Sequence, residues 1–140
     1  MPLPGFDSLC QERQKIIVSA QKGRKHIAHN TRGACVCHYQ IDGVVLTGAE
    51  DKACDYLLFN EDAGTAYLIE LKGCHLTEAA QQLEATERRL SAELKAYQMF
   101  YRIIARKISV HAVKHSGFRR FETRRKGRLR YECGQLEEPI

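Results

Sequence analysis

Two apolar runs of strand length, Asp55-Tyr56-Leu57-Leu58-Phe59-Asn60 and Thr65-Ala66-Tyr67-Leu68-Ile69-Glu70-Leu71-Lys72, lie on either side of the turn-like Glu61-Asp62-Ala63-Gly64. Runs of this length, rich in aromatic and branched residues and bounded by turn formers, read as a pair of antiparallel strands. On the second strand Glu70 and Lys72 point to the same face, because side chains alternate with a period of two. A lone carboxylate or ammonium in so apolar a strand is costly unless something partners it. If residues 61–64 form the loop, Asn60 faces Thr65 and Asp55 falls directly opposite Glu70, with Cβ atoms roughly 4.5–5.5 Å apart. Carboxylates that close repel each other, and a divalent cation or a bridging base is the ordinary relief. A slip of one residue would undo the opposition.

The rest of the chain is expected to build an α/β domain around this pair. Residues Ser8 to Ala20 put Leu9, Ile16, Ile17 and Ala20 near helical spacing, with Asp7 or Ser8 as N-cap. Gln21 to Gly33 has no period and reads as a loop. Ala34 to Ile41 reads as a strand, and Asp42-Gly43 is a type I′ turn signal leading into Val44-Val45-Leu46, so a first hairpin is expected there. After Gly73 a long helix is expected from about Thr77 to Tyr101, with Leu83, Leu90, Leu94 and Tyr97 in one narrow arc. Arg102 to Val110 and Leu129 to Cys133 read as further strands, the second after a basic, poorly patterned stretch. Through Val110 the expected order is α-β-β-β-β-α-β.

With 140 residues and 44% hydrophobic content, one domain over 1–140 is expected. No stretch approaches the roughly 20 apolar residues of a membrane span, and Met1-Pro2-Leu3-Pro4-Gly5 does not start a secretory leader, so a cytoplasmic protein is expected, without membrane partners. The six cysteines then read as reduced thiols. Cys35-x-Cys37 beside His38 raises the possibility of zinc, but no second ligand pair stands at zinc-finger spacing, and buried small side chains are the preferred reading.

The net charge of +5 is unevenly distributed. Residues 50–93 hold ten acidic groups against four basic ones, whereas Arg102 to Arg130 holds eleven Lys or Arg and one acid, Glu122. Six more basic residues lie between Arg13 and Arg32. Carboxylates at the centre suit a cation, and basic arms suit a phosphate polymer.

An Asp at the start of one strand, Glu-x-Lys on the next and a helix after it resemble the PD-(D/E)XK nuclease superfamily. The matching words are Cys54-Asp55-Tyr56-Leu57-Leu58 and Ile69-Glu70-Leu71-Lys72-Gly73, with Cys54 in place of the motif's proline, and the resemblance spans about residues 34–110. It implies a restriction-endonuclease-like core, a mixed sheet flanked by helices, in which Asp55, Glu70 and the Leu71 carbonyl hold Mg²⁺ or Mn²⁺. Lys72 would position and help deprotonate the attacking water, while the cation polarises the scissile phosphate. Gln82, with Thr86 one turn on, would stand at the polar position of the helix, and Glu12 at the accessory acid of the first helix. The implied activity is metal-dependent hydrolysis of nucleic acid, with DNA in branched, flapped or free-ended form as the expected substrate, and a homodimer as the arrangement that brings two sites to two strands.

Arg24, Lys25, Arg32, Arg119, Arg120, Arg124 and Arg125 are the expected backbone clamps. Phe118, Phe121 and Tyr131, interleaved with the arginines, either stack on bases or pin the segment to the core. His26, His29 and His38 read as surface or hydrogen-bonded histidines rather than general acids. Two other classes of function remain open, a non-catalytic nucleic-acid-binding protein with a nuclease-like fold and a protein–protein adaptor.

Overall fold

The computed structural model describes residues 2–48 and 52–140. Five strands come first: β1 (Ile16–Gln21), β2 (Arg24–His29), β3 (Val36–Gln40), β4 (Tyr56–Asn60) and β5 (Thr65–Lys72). Helices α1 (Leu76–Arg89) and α2 (Ser91–Leu94) lead to β6 (Gln98–Ala105). Helices α3 (Val110–Lys114) and α4 (Ser116–Arg124) precede β7 (Leu129–Cys133) and β8 (Gln135–Pro139). The result is a mixed α/β fold with two mixed sheets, one ordered β3-β4-β5-β6-β7 and the other β1-β2-β8.

In the five-stranded sheet β3, β4 and β5 run antiparallel, while β6 lies parallel to β5 and β7 parallel to β6. The hairpin forms in the expected register, Asn60 against Thr65 and Tyr56 against Ile69. Alternation along β5 sends Ala66 and Leu68 into a core shared with Leu76, Ala79, Ala80 and Leu83 of α1. Tyr67, Ile69 and Leu71 go into a second core, with Ile17, Ala28 and Leu136 of the small sheet. The five-stranded sheet is therefore covered on both faces, by helices on one and by the three-stranded sheet on the other.

Several sequence expectations give way. Ser8 to Ala20 holds no helix: its second half is β1, whose Ile17 and Ser19 point inward while Ile16 and Val18 stay exposed. Because both faces carry branched residues, no clean alternation distinguished this strand from a helix. The supposed loop after it contains β2, joined to β1 through Lys22 and Gly23, both at positive φ (48° and 83°), as a two-residue hairpin turn demands. Val44 to Leu46 is not a strand, since the amides of Val44, Val45 and Leu46 all turn back onto the Ile41 carbonyl. The long helix ends at Arg89, and α2 carries the chain only to Leu94. Leu83, Leu90 and Leu94 are all buried as expected, but Tyr101 lies on β6, paired with Leu68. Tertiary pairing beside β5 overrode the helical period there. The basic stretch holds α3 and α4, and the last strand expected, β7, is present.

The two sheets are tied by Glu138 of β8. Its carboxylate accepts hydrogen bonds from His26 Nε2 (2.7 Å), Arg102 Nε (2.7 Å) and Arg102 Nη2 (3.0 Å). Arg130 Nη1 stands 3.7 Å away. Arg102 also lies over the Tyr67 and Phe100 rings. His26, Arg102 and Glu138 are all buried, so removing one charge strands the others. Burial alone would raise the Glu138 carboxyl, but the His26 and Arg102 hydrogen bonds and charge outweigh it and hold it at about 2.

A carboxyl held below its ordinary 4.5 contributes stability that is present above pH 4.5 and lost as the pH falls toward 2. The shift corresponds to roughly 3 kcal/mol. Urea unfolding at pH 7, 4.5 and 2.5 is expected to show wild type losing about that much on the acid side. Glu138→Gln is expected to be weaker at pH 7 and to have a shallower acid limb; a variant as stable as wild type at pH 7 would show that the tie contributes nothing.

Candidate active site

The antiparallel ladder between β4 and β5 stops at Tyr56 and Ile69. Continuing the register, the next hydrogen-bonded rung would join Cys54 to Leu71. Both partners are diverted. The Cys54 amide donates to Thr86 Oγ1 of α1 (2.7 Å), and the Leu71 amide donates to Asp55 Oδ2 (2.8 Å). A residue's N–H and C=O leave a strand on the same edge. The Leu71 carbonyl therefore emerges beside the Asp55 carboxylate, with the Cys54 amide engaged elsewhere.

Asp55 and Glu70 meet across this opening on the face of the sheet that α1 covers. Glu70 is 2% exposed, and its Oε1 is buried without a hydrogen-bond partner. Burial first, then the negative charge of Asp55, push the Glu70 carboxyl up to about 9, against the pull of Lys72. Burial likewise raises the Asp55 carboxyl, while the Leu71 amide pulls it down. The pair thus shares a proton at neutral pH, as two carboxyls in a dry site must when no other cation lies between them. Burial also raises the Cys54 thiol, so it stands by the acids as a neutral group.

Lys72 lies two residues on from Glu70 and reaches Glu78 in the first turn of α1, Nζ to Oε2 3.6 Å. Gln82 sits one turn before Thr86, whose hydroxyl donates to the Gln82 carbonyl (2.9 Å), and Gln82 Oε1 is a second buried acceptor without a partner. Gln81, its neighbour in the chain, is exposed and accepts from Lys52 Nζ (2.8 Å). The fold thus brings together Asp55, Glu70, Lys72 and the Leu71 backbone, with α1 laid over them. Thr86 and Glu78 gain their roles here. Thr86 showed only as a helix-face neighbour of Gln82, and Glu78 only as one of the ten acidic groups of residues 50–93.

The oxygen donors fit a small hard cation. Two carboxylates and a carbonyl are the ligand types Mg²⁺ and Mn²⁺ take, and the unpartnered Glu70 Oε1 is an acceptor in want of a cation. Among the described residues no group of three or more His, Cys, Asp or Glu side chains stands ready to hold a metal ion. The set here has two such side chains, the third donor being backbone.

Other expected residues are placed elsewhere. Glu12 lies at the far end of the β3-β4-β5 sheet, where its carbonyl accepts from the Val36 amide and its carboxylate from Cys35 Sγ, so it is not an accessory acid of this site. Arg24 is not an exposed clamp: it is buried on the inner face of β2. Arg125 is also withdrawn, lying over Phe121 (4.1 Å) and Tyr101 (4.8 Å), with Nη2 3.3 Å from Glu87. Lys25 is exposed on the outer face of the small sheet, and Arg32 borders a cleft with Asp62 at the loop end of the hairpin. Arg119, Arg120 and Arg124 are exposed on α4.

Phe118 and Phe121 are buried, and Tyr131 packs edge-on against Phe118, so these aromatics pin α4 to the core. His38 bonds to Ser19 (2.9 Å) and stacks on Tyr56; burial, then the His26 charge, push its imidazole down to about 4. Cys37 packs into the helix-side core, whereas His38 faces the small sheet, so they do not converge on one ion.

Comparison with protein-family models, with curated proteins and with solved structures finds no match to this chain. Among the described residues no helix is long and apolar enough to cross a membrane.

A carboxyl raised in the folded protein contributes stability that is complete below its ordinary value, 4.5 for Glu70, and lost as the pH climbs through about 9. With chelator present, the melting temperature of wild type is expected to fall by roughly 5–10 °C between pH 5 and 9. Glu70→Gln, which keeps the shape of the protonated acid, is expected to flatten that slope. Equal slopes in the two proteins would refute the burial of a shared proton.

Proposed function

We propose that this protein is a metal-dependent phosphodiesterase acting on nucleic acid, with DNA as the polymer and with Asp55, Glu70 and Lys72 as its catalytic residues. The observation that carries the reading is the buried, opposed carboxylate pair beside an interrupted ladder, with the Glu70 Oε1 acceptor unpartnered. A pair serving only stability would hardly be kept in so unfavourable a state, since replacement by apolar side chains usually costs nothing. The order of elements supports the same reading. Three antiparallel strands, β3 to β5, then α1, then β6 parallel to β5, give the mixed sheet with a covering helix that a restriction-endonuclease-like core implies.

In this reading Asp55, Glu70 and the Leu71 carbonyl hold Mg²⁺ or Mn²⁺. When bound, the cation neutralises charge building on the phosphate and makes water a better nucleophile. The residues of the chain do the rest. The Leu71 amide fixes the Asp55 carboxylate in orientation through the 2.8 Å hydrogen bond. Glu70 must give up its proton as the cation enters, so loading is expected to strengthen with rising pH. Lys72, held by Glu78 at the mouth of the site, can swing its ammonium to a phosphate oxygen or to the attacking water without leaving its face of β5. Gln82, one turn before Thr86 on α1, keeps a buried amide oxygen free to accept.

The test is a titration of Mg²⁺ and Mn²⁺ with single-stranded, duplex and branched DNA and with RNA. Wild type is expected to cleave at least one DNA form only with metal, and Asp55→Ala and Lys72→Ala are each expected to lose about 100-fold or more in rate. Both substitutions sit at the edge of the core and are expected to leave the fold intact by circular dichroism. Tight binding without cleavage would point instead to a non-catalytic nucleic-acid-binding protein. Binding neither metal nor nucleic acid would leave only the adaptor reading.

A further inference from the structure

The cations expected to hold a substrate are sorted by the fold, and three of those left exposed stand together on one helix. Arg119, Arg120 and Arg124 of α4 and Lys114 just before it are all exposed. None of them has a carboxylate partner among the described residues. The one acid of α4, Glu122, sits against Tyr131 on another side of the helix. Arg120 and Arg124 are four residues apart, the spacing at which like charges on a helix repel. By contrast, Arg125 next to them is neutralised by Glu84 and Glu87.

Two adjoining clefts make use of this face. One, of about 260 Å³, runs between α1 and α4 past Thr77, Gln81, Arg120 and Arg124. The other, of about 420 Å³, continues past Lys114, Ser116, Arg119 and Thr123 and shares Arg120 and Arg124 with the first. The first cleft starts close to the carboxylate site. His115 Nδ1, at the cap of α4, lies 3.3 Å from Thr77 Oγ1, and the next residue, Glu78, holds Lys72. Close packing fixes this junction: a Cβ at Gly117 would stand 3.3 Å from His115 Nδ1 and 3.4 Å from Thr77 Cγ2.

We infer that Lys114, Arg119, Arg120 and Arg124 form a phosphate track that leads away from Lys72 and holds the backbone of a polynucleotide without reading its bases. The inference rests on the proposed function for the nature of the polymer, and it adds where the strand lies and how it is held. Four residues of helix advance about 6 Å, comparable with the separation of neighbouring phosphates along one strand, so Arg120 and Arg124 match successive phosphates. Base readout would need exposed aromatic rings for stacking or side chains reaching base edges. Here Phe118 and Phe121 are buried, and the walls of the second cleft offer hydroxyls, guanidinium groups and an ammonium, while the first adds Gln81 and Glu84, whose carboxylate is paired with Arg125. Such a surface binds by charge and releases counterions.

The test measures binding without turnover. Full-length Asp55→Ala protein in EDTA is titrated by fluorescence anisotropy against two fluorescein-labelled single-stranded DNA 20-mers of unrelated sequence, across a salt series. Adding Arg120→Gln and Arg124→Gln together is expected to weaken binding about 10-fold or more on both sequences and to lower the salt slope by about 1.5. Adding Lys95→Gln, an exposed lysine just past α2, is expected to change neither. Unchanged binding in the double-arginine variant, a loss confined to one sequence, or no binding by the parent protein would each overturn the track. Because cleavage is not the readout, failure of the two readings can be told apart. A protein that binds through α4 and never cleaves contradicts the nuclease alone, and an active nuclease whose double-arginine variant binds normally contradicts the track alone.

Discussion

A strand covered by helices on one face and by a second sheet on the other has no solvent into which to turn a charge, and β5 carries Glu70 and Lys72 in that position. Burial of β5 organises the rest. Its even-numbered side chains meet α1 and its odd-numbered ones meet the small sheet, so a single slip in pairing with β4 would exchange the two cores and turn Glu70 toward the wrong one. The hairpin therefore fixes both the packing and the opposition of Asp55 and Glu70. Lys72 escapes complete burial because it lies at the end of the strand, where Glu78 can meet it from the first turn of α1.

The site arises where regular pairing fails. Had β4 continued by one more rung, Cys54 and Leu71 would have satisfied each other and no backbone oxygen would face the carboxylates. Thr86 draws the Cys54 amide toward the helix, and Asp55 takes the Leu71 amide. These two substitutions of side chain for main chain cost little, since each exchanges one hydrogen bond for another. They leave a small opening walled by acids and roofed by α1. The strain it carries is electrostatic, expressed as a Glu70 carboxyl that keeps its proton far above the usual range.

The small sheet explains why counting basic residues overstated the surface charge. Arg24 and His26 read as members of a solvated arm, but β2 turns them inward, where His26 meets Glu138. Arg102, which opened the supposed basic tail, is held by the same carboxylate between the sheets. The neutralising acid comes from β8, a strand whose Gln-Leu-Glu-Glu-Pro sequence gives no sign of itself because only Leu136 and Glu138 face inward. Among the described residues, free positive charge is most concentrated on α4, where Arg119, Arg120 and Arg124 stand together.

The residues 55–72 were legible in the sequence, down to the opposition of Asp55 and Glu70, because a long apolar run on each side of a short turn leaves only one register that buries both strands. The helix beginning after Gly73 and the strand at Leu129 were legible for similar local reasons. The first helix was misread, since Ile16-Ile17-Val18 is branched on both faces and its exposure pattern depends on β2 beside it. The end of the long helix was misread because β6 is drawn into place by β5, a partner about thirty residues back in the chain. Sequence alone determined the two strands that oppose Asp55 and Glu70 and how the hairpin aligns them, through hydrophobic period and turn length, which are local. Only the tertiary structure decided that the ladder breaks beside Leu71, that Glu12 and Arg125 have other partners and Arg24 is buried, and that the exposed arginines of α4 stand next to α1. Each of those depends on which distant carboxylate, hydroxyl or strand edge arrives nearby, and neither spacing nor composition encodes that.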